Sequence, residues 1–224
     1  MKNQPLTTLK KTLNKNSIVE EIIAKTMQEL ESAKKPQSQS RVWQDPKGYQ
    51  YLGVWQNAAL LRVLIRKFTL NLTLNHPYER RLKSQLDDAA RSVKRNIEEG
   101  WKRPTTKEYL IFLGYSQASL EEVKGDISDA KTDGFLKSQP LSTLKFTLNI
   151  DLRVIKGIHK GQAKGEPTDP GHPYYQPLST LNPRTLSYEI FMELINKTDY
   201  LLRKLVQSLE KKQDGYKLEL GGLK

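Results

Sequence analysis

Two adjacent carboxylates are the first residues in this chain whose types suggest chemistry. Glu98 and Glu99 stand side by side in RSVKRNIEEGWKR (91–103), and paired carboxylates can act as general acid and base. Neighbouring side chains on a helix point about 100° apart, so these two cannot converge on one substrate unaided. The pair therefore predicts no acid–base site.

Metal and thiol chemistry is not expected either. His76, His159 and His172 all fall in predicted loops, and none follows a glutamate by three residues, whereas a di-metal site in a helical bundle uses Glu-x-x-His on inner faces. The chain has no cysteine, which excludes thiolate catalysis, disulfides, cysteine-ligated zinc and iron–sulfur clusters. We expect no metal and no cofactor.

Nucleophilic catalysis has one weak candidate, Ser116 in GYSQA (114–118). It falls within a predicted helix, with no strand before it and no histidine partner, so we interpret it as a small core residue that lets helices approach closely. GQAKG (161–165) lacks the Gly-Lys-Ser/Thr of a phosphate-binding P-loop. The sequence therefore predicts that the protein is not an enzyme.

Basic side chains around the same helix favour phosphate binding instead. Residues 80–103 hold eight Lys/Arg against four Asp/Glu, a local net charge of +4 in a chain of net charge +12. Such a cluster neutralises phosphates without reading bases. We expect Arg91, Lys94 and Arg95 to leave the apolar face. The candidate nucleic-acid-binding residues are Arg80, Arg81, Lys83, Arg91, Lys94, Arg95, Lys102 and Arg103.

Two alternatives to a nucleic-acid site stay open for these residues. Asp87 and Asp88 stand at helical spacing from Arg91, so half of the cluster could be an ion-paired solvent face. The four residues Asn96, Glu99, Gly100 and Trp101 are expected to organise a turn or a subunit contact. Trp101 could stack on a base, but we interpret it as a cap on the core or on an interface.

Four amphipathic segments must position these residues. Apolar stripes predict helices at about 52–70, 78–99, 105–133 and 185–212, and the short early connections predict an all-α fold, an antiparallel up-down four-helix bundle over 52–212. Thr105 and Glu108 have the spacing of a capping box. The first helix is apolar on two sides, which indicates a partner subunit as its second neighbour.

The remaining segments are expected to add an extension, an insertion and a tail to this bundle. We interpret 1–51 as an N-terminal extension with a short helix at 17–35, and 213–224 as a tail. Residues 135–183 are weakly periodic and carry copies of the repeated fragment QPLSTL, so we expect a partly disordered insertion whose removal keeps the fold. No apolar run approaches 18 residues and the N-terminus lacks a signal-peptide core, so we expect a cytoplasmic protein.

Three stretches resemble a known family. LGVWQNAALL (52–61), LKSQLDDAARSVKRNIEEGWKR (82–103) and TTKEYLIFLGYSQASLEEVKGDI (105–127) are similar to small four-helix-bundle proteins encoded in intervening sequences of bacterial 23S ribosomal RNA genes. The resemblance covers roughly the central 80 residues plus the final helix. It implies a non-enzymatic bundle, often a homopentamer with a central channel.

A more distant resemblance is to the accessory protein of diversity-generating retroelements, which implies a basic pentameric bundle that works with a reverse transcriptase. Two functions are therefore expected. One is a non-catalytic basic oligomer that contacts the phosphates of a nucleic acid, with RNA expected in preference to DNA. The other is a protein-interaction scaffold or accessory subunit for a reverse transcriptase.

Overall fold

The computed structural model describes residues 24–25, 45–72, 77–154 and 165–221, the last seven of these by their backbone alone. The chain divides into two units, Met1–Ser40 and Arg41–Lys224, and all elements named below belong to the second. The predicted helix at 17–35 lies outside the described residues except for the helical pair 24–25, and His76 and His159 also lie outside them.

Every regular element in the described ranges is helical, which confirms the all-α class. Short 3-10 turns at Gly48–Tyr51 and Pro183–Thr185 accompany the α-helices. In chain order the α-helices are α1 (Gly53–Thr69), α2 (Pro77–Trp101), α3 (Thr106–Thr132), α4 (Leu144–Leu148), α5 (Tyr175–Ser179) and α6 (Tyr188–Gly221).

The predicted boundaries are closest where a capping signal exists. Thr105 Oγ1 accepts from the Glu108 N–H at 3.1 Å and Glu108 Oε2 accepts from the Thr105 N–H at 3.3 Å, so the capping box that opens α3 is confirmed. The predicted end of the last helix at 212 is wrong, because α6 continues to Gly221. Gly215 within it costs about 1 kcal/mol relative to alanine, which does not suffice to end the helix.

The core forms where the long helices meet. Helix α2 packs against α1 and α3, and α6 packs against the same two helices. Ser116 is fully buried and its Oγ donates to the Val93 carbonyl at 2.8 Å, so its interpretation as a small core residue between α2 and α3 is confirmed.

Helix α1 finds its second neighbour within its own chain. Of the residues that widen its apolar surface, Val54 and Leu60 are buried and Val63 is partly buried against the core. The turns at Gly48–Tyr51 and Pro183–Thr185 lie against this helix, and His172 Nε2 donates a hydrogen bond to Gln56 Oε1 on it. Its two-sided apolar character therefore gives no ground for a subunit contact.

The predicted insertion 135–183 enters the core, in contrast to the expectation that it is dispensable. Ser142 and Ser187 share a buried 2.6 Å hydrogen bond, and the Leu144 N–H donates to Glu193 Oε2 at 2.8 Å. Weak periodicity misled the prediction because short irregular elements bury single side chains rather than stripes. Among its described residues, the buried apolar ones are Leu136, Leu144, Leu148, Ile150, Tyr174 and Leu178.

Among the described residues, no helix combines the length and the apolarity that crossing a bilayer requires.

Candidate nucleic-acid interface

Five cations line a groove between α1 and α2, here called the basic groove. Its volume is about 420 Å³. Helix α1 contributes two arginines that sequence reasoning missed, Arg62 and Arg66. Five cations and two carboxylates give the groove a net charge of +3. Its lining is Arg62, Arg66, Arg80, Lys83, Ser84, Asp87, Asp88 and Arg91.

Asp87 partly neutralises one end of this groove. Its Oδ2 lies 2.6 Å from Lys83 Nζ and 3.8 Å from an Arg66 nitrogen, and its Oδ1 accepts from Thr69 Oγ1 at 2.9 Å. Lys83 is therefore committed to an ion pair. The alternative pairs that the sequence allowed, Asp87 or Asp88 with Arg91, do not form. Arg91 is exposed and forms no ion pair within the described part of the chain.

Lys94 does not lie on an exposed phosphate-binding face, and its predicted orientation is wrong. Its side chain is only 7% exposed. Lys94 Nζ lies 2.9 Å from Glu98 Oε1 and 2.5 Å from Glu166 Oε1, and 5.4 Å from the ring centroid of Trp55. Helix α2 is buried over a wider arc than its apolar stripe indicates, because α1 and the chain near Glu166 cover this side.

Glu98 organises these contacts, although its sequence position beside Glu99 gave no sign of this. Its Oε1 accepts from Trp55 Nε1 at 3.0 Å, and its Oε2 accepts from an Arg95 nitrogen at 3.1 Å. We call Trp55, Lys94, Arg95, Glu98 and Glu166 the ion cluster. It joins the Trp of α1 to the end of α2, so its role is structural.

The other candidate cations lie outside the basic groove. Arg81, Arg95, Lys102 and Arg103 are exposed, and Arg103 lies 4.4 Å above the Phe112 ring. The structure thus brings together Arg80, Lys83 and Arg91 of the predicted set, and it places the rest elsewhere on the surface or, for Lys94, inside.

The predicted turn residues have different environments. Asn96 is partly buried and Glu99 is exposed. A side chain on Gly100 would meet Tyr109 Cδ2 at 2.6 Å, so glycine permits α2 and α3 to approach here. Trp101 Nε1 donates to the Asp45 carbonyl at 3.0 Å, and its ring lies edge-on to Tyr109 at 6.3 Å, in agreement with a cap on the core.

A second buried polar contact joins α1 to the segment 165–187. His172 Nδ1 accepts from the Tyr174 N–H at 3.1 Å, so Nε2 carries the proton and donates to Gln56 Oε1 at 2.9 Å. Burial lowers the pKa of His172, while Asp169 and Glu166 oppose the shift. Sequence reasoning missed this contact because its partners stand 116 residues apart.

Comparison with models of protein families matches one stretch of the chain. No curated protein and no solved structure matches the chain. The matched stretch ends before α5 and α6 and takes in α1, α2, α3 and α4, with the Trp55–Glu98 contact and the whole basic groove. Residues 50–157, just under half of the chain, match the family model described as 23S rRNA-intervening sequence protein.

Proposed function

We propose that this chain is a non-catalytic, basic protein of the cytoplasm that binds RNA through phosphate contacts. The basic groove carries the proposal, because it gathers Arg62, Arg66, Arg80 and Arg91 in one concave surface. Arginine suits this task because its planar guanidinium binds phosphate through two parallel hydrogen bonds. The similarity of residues 50–157 to an rRNA-intervening sequence protein favours RNA over DNA as the polyanion.

The scaffold that we propose for this groove is an up-down four-helix bundle. Helices α1 and α3 each pack mainly against α2 and α6, so the four long helices follow a closed order. Only four residues, 102–105, connect α2 to α3, and a connection of that length favours antiparallel neighbours. A groove along α1 and α2 would then follow the long axis of the bundle, as a nucleic-acid backbone requires.

The groove is expected to bind backbone rather than sequence. Its cations lie on helix faces between helices of the same chain, so no side chain is presented on a free helix that could enter a nucleic-acid groove. Contacts of this kind position phosphates but carry no sequence information. We therefore propose recognition of structured RNA by charge and shape.

Replacing Arg66, Arg80 and Arg91 together by Gln tests this proposal. We expect weaker binding to a double-stranded RNA hairpin and a salt slope smaller by roughly two to three units, about one per lost phosphate contact. The matched control replaces three exposed cations outside the groove, Lys137, Arg184 and Lys211, by Gln, which removes the same charge. Fluorescence anisotropy over a salt series measures both, and equal slopes in the two variants would contradict the proposal.

We also propose that the protein is a homo-oligomer that contacts its partner copy through the outer face of α3. Ile111 and Tyr115 are 46% and 56% exposed on this face. Between them, a Cβ on Gly114 would meet nothing within 4 Å. A glycine inside a helix costs about 1 kcal/mol relative to alanine, and no packing among the described residues requires it. We infer that a second copy approaches closely there. The family resemblance implies five copies.

The same exposed face supports a second candidate function, a protein-interaction scaffold such as an accessory subunit for a reverse transcriptase. Ile111 and Tyr115 are large side chains that would anchor a protein partner. The two candidate functions differ in whether the basic groove binds RNA. RNA binding that is insensitive to the three-arginine variant favours the scaffold.

A further inference from the structure

A second cavity, of about 500 Å³, lies away from the basic groove. It is bounded by the start of α1, by residues 143–153 and by α6. Its volume falls in the range of small-molecule sites. Apolar side chains dominate its walls: Phe146, Ile150, Leu152, Tyr200 and Leu201.

One polar side chain in this cavity presents its amide to the open space. Asn57 is 7% exposed and lines the cavity. Its amide forms no hydrogen bond within the described residues, and its polar atoms keep some accessible surface. Buried amides normally have partners, because an unpaired one is destabilising. An amide offers an acceptor and donors side by side, so Asn57 suits a ligand with a matching donor and acceptor edge.

The rim of the cavity is held in place by ion pairs. Asp151 lies 3.2 Å from Lys145 Nζ and 2.8 Å from an Arg153 nitrogen, and these partners keep the pKa of Asp151 well below its usual range. Glu193 pairs with Lys197 while also accepting from the Leu144 N–H at 2.8 Å. Three cations face two carboxylates here, so the rim has an excess positive charge.

Two aromatic rings at the cavity keep accessible surface. Phe146 is 85% exposed and Tyr200 is 54% exposed. Exposed aromatic rings beside cations are the combination on which unpaired bases stack. Asparagine also forms a paired hydrogen bond with the N6 and N7 edge of adenine.

We propose that this cavity binds a nucleobase, adenine in preference to the pyrimidines. The edge of the base pairs with the Asn57 amide, and its faces contact Phe146 and Tyr200. The phosphate of the nucleotide lies at the cationic rim. The base is supplied by a free nucleotide or by an unpaired residue of RNA. Only the second source rests on the proposed function.

Titration of the full chain with adenosine 5′-monophosphate tests the amide contact. Asn57→Leu is expected to weaken binding at least about fivefold, the lower end for losing one paired base contact. The fold should persist, because leucine is close to asparagine in size and the substitution breaks no hydrogen bond within the described residues. Ribose 5-phosphate, which lacks the base, is expected to bind neither protein, and cytidine 5′-monophosphate is expected to bind more weakly.

A second variant pair tests the aromatic contact without touching buried structure. Phe146→Ala is expected to weaken binding of adenosine 5′-monophosphate, whereas Leu141→Ala is expected to leave it unchanged. Leu141 is 95% exposed on the same segment and does not line the cavity. The pair controls for loss of a large exposed apolar side chain.

A single-stranded oligoadenylate 12-mer carrying 2-aminopurine distinguishes the two sources. Dependence on Asn57 for the mononucleotide alone supports a free nucleotide, and dependence for the 12-mer alone supports an unpaired RNA base. Equal binding of both probes by wild type and Asn57→Leu, or no binding of either, overturns the proposal. The titration with the mononucleotide involves no hairpin, so its outcome is independent of whether the basic groove binds RNA.

Discussion

At the scale of single residues, Lys94 lies between two carboxylates, Glu98 on its own helix and Glu166, which is distant in sequence. Removing one partner of a buried ion pair typically costs about 3–5 kcal/mol, because the remaining charge stays buried without compensation. We expect Lys94→Met to lower the free energy of unfolding by about 3 kcal/mol, since Glu98 keeps Arg95 and Trp55 as partners. Urea unfolding followed by circular dichroism measures the loss.

The control for Lys94 is Lys102→Met, an exposed lysine just beyond the same helix. A surface substitution of this kind is expected to change stability by less than about 0.5 kcal/mol. Similar losses in the two variants would contradict a buried ion cluster. Since Lys94 is not accessible, its replacement should leave the salt slope of RNA binding unchanged in the fraction that is folded.

At the scale of elements, His172 makes the stability of the contact between α1 and the segment 165–187 depend on pH. The ring is buried in its neutral form against Gln56, and burial lowers its pKa from 6.5. As pH falls below about 6.5, the unfolded chain takes up a proton that the folded chain resists, so stability falls with pH. The loss is at most about 1.4 kcal/mol for each pH unit between 6.5 and the folded pKa.

Thermal melting at pH 7.5 and pH 5.5 checks this dependence. The wild type is expected to lose more stability between the two conditions than His172→Gln, whose amide does not titrate but can still bond to Gln56. The difference between the two proteins isolates the histidine from the carboxylates, which both share. Identical losses would mean that His172 is already charged, or not buried, in the folded protein.

Leu144 tests whether the segment 135–154 belongs to the core. Its side chain is 1% exposed and α4 begins with it. Leu144→Ala is expected to cost about 2–5 kcal/mol, whereas Leu141→Ala, three residues earlier and 95% exposed, should change stability by less than about 0.5 kcal/mol. Urea unfolding of both variants decides the matter, and a neutral Leu144→Ala would restore the view of a dispensable insertion.

Periodicity was sufficient to predict the long helices but not what covers them. The stripe through Leu86, Val93 and Ile97 identified the buried face of α2, because residues three and four apart share a helix face. Spacing within one helix says nothing about which other element lies over its flank. Lys94 was therefore misplaced, since Glu166 reaches it from 72 positions further along the chain.

The basic groove was likewise predicted only in part. Arg80, Lys83 and Arg91 were predicted from charge on one helix, whereas Arg62 and Arg66 became candidates only once α1 was placed beside α2. The 43-residue separation of Trp55 and Glu98 likewise hides a contact that is evident in three dimensions. Charge along the sequence therefore predicted the α2 side of the groove, whereas the α1 side became evident only from the packing of the two helices.

At the scale of the whole molecule, we expect several copies to assemble. Helix α1 is covered by its own chain, so the exposed face of α3 is the stronger ground for expecting an oligomer. Replacing Ile111 and Tyr115 together by Glu puts charges where we expect two copies to meet, and the desolvation cost of burying them should favour separation. We expect light scattering at micromolar concentration to give an oligomer for the wild type and a monomer for this variant.

The matched control for the double variant is Leu70→Glu, which places a charge on a 63% exposed leucine beyond the end of α1. It is expected to keep the oligomer, and both variants should keep helical circular dichroism, because the substituted side chains are exposed in the single chain. A Gly114→Ala variant adds a finer test. Alanine should stabilise the isolated helix by up to about 1 kcal/mol, yet it should weaken assembly if two copies approach closely there. A wild type that is monomeric, or a double variant that assembles as the wild type does, would remove α3 as the contact face.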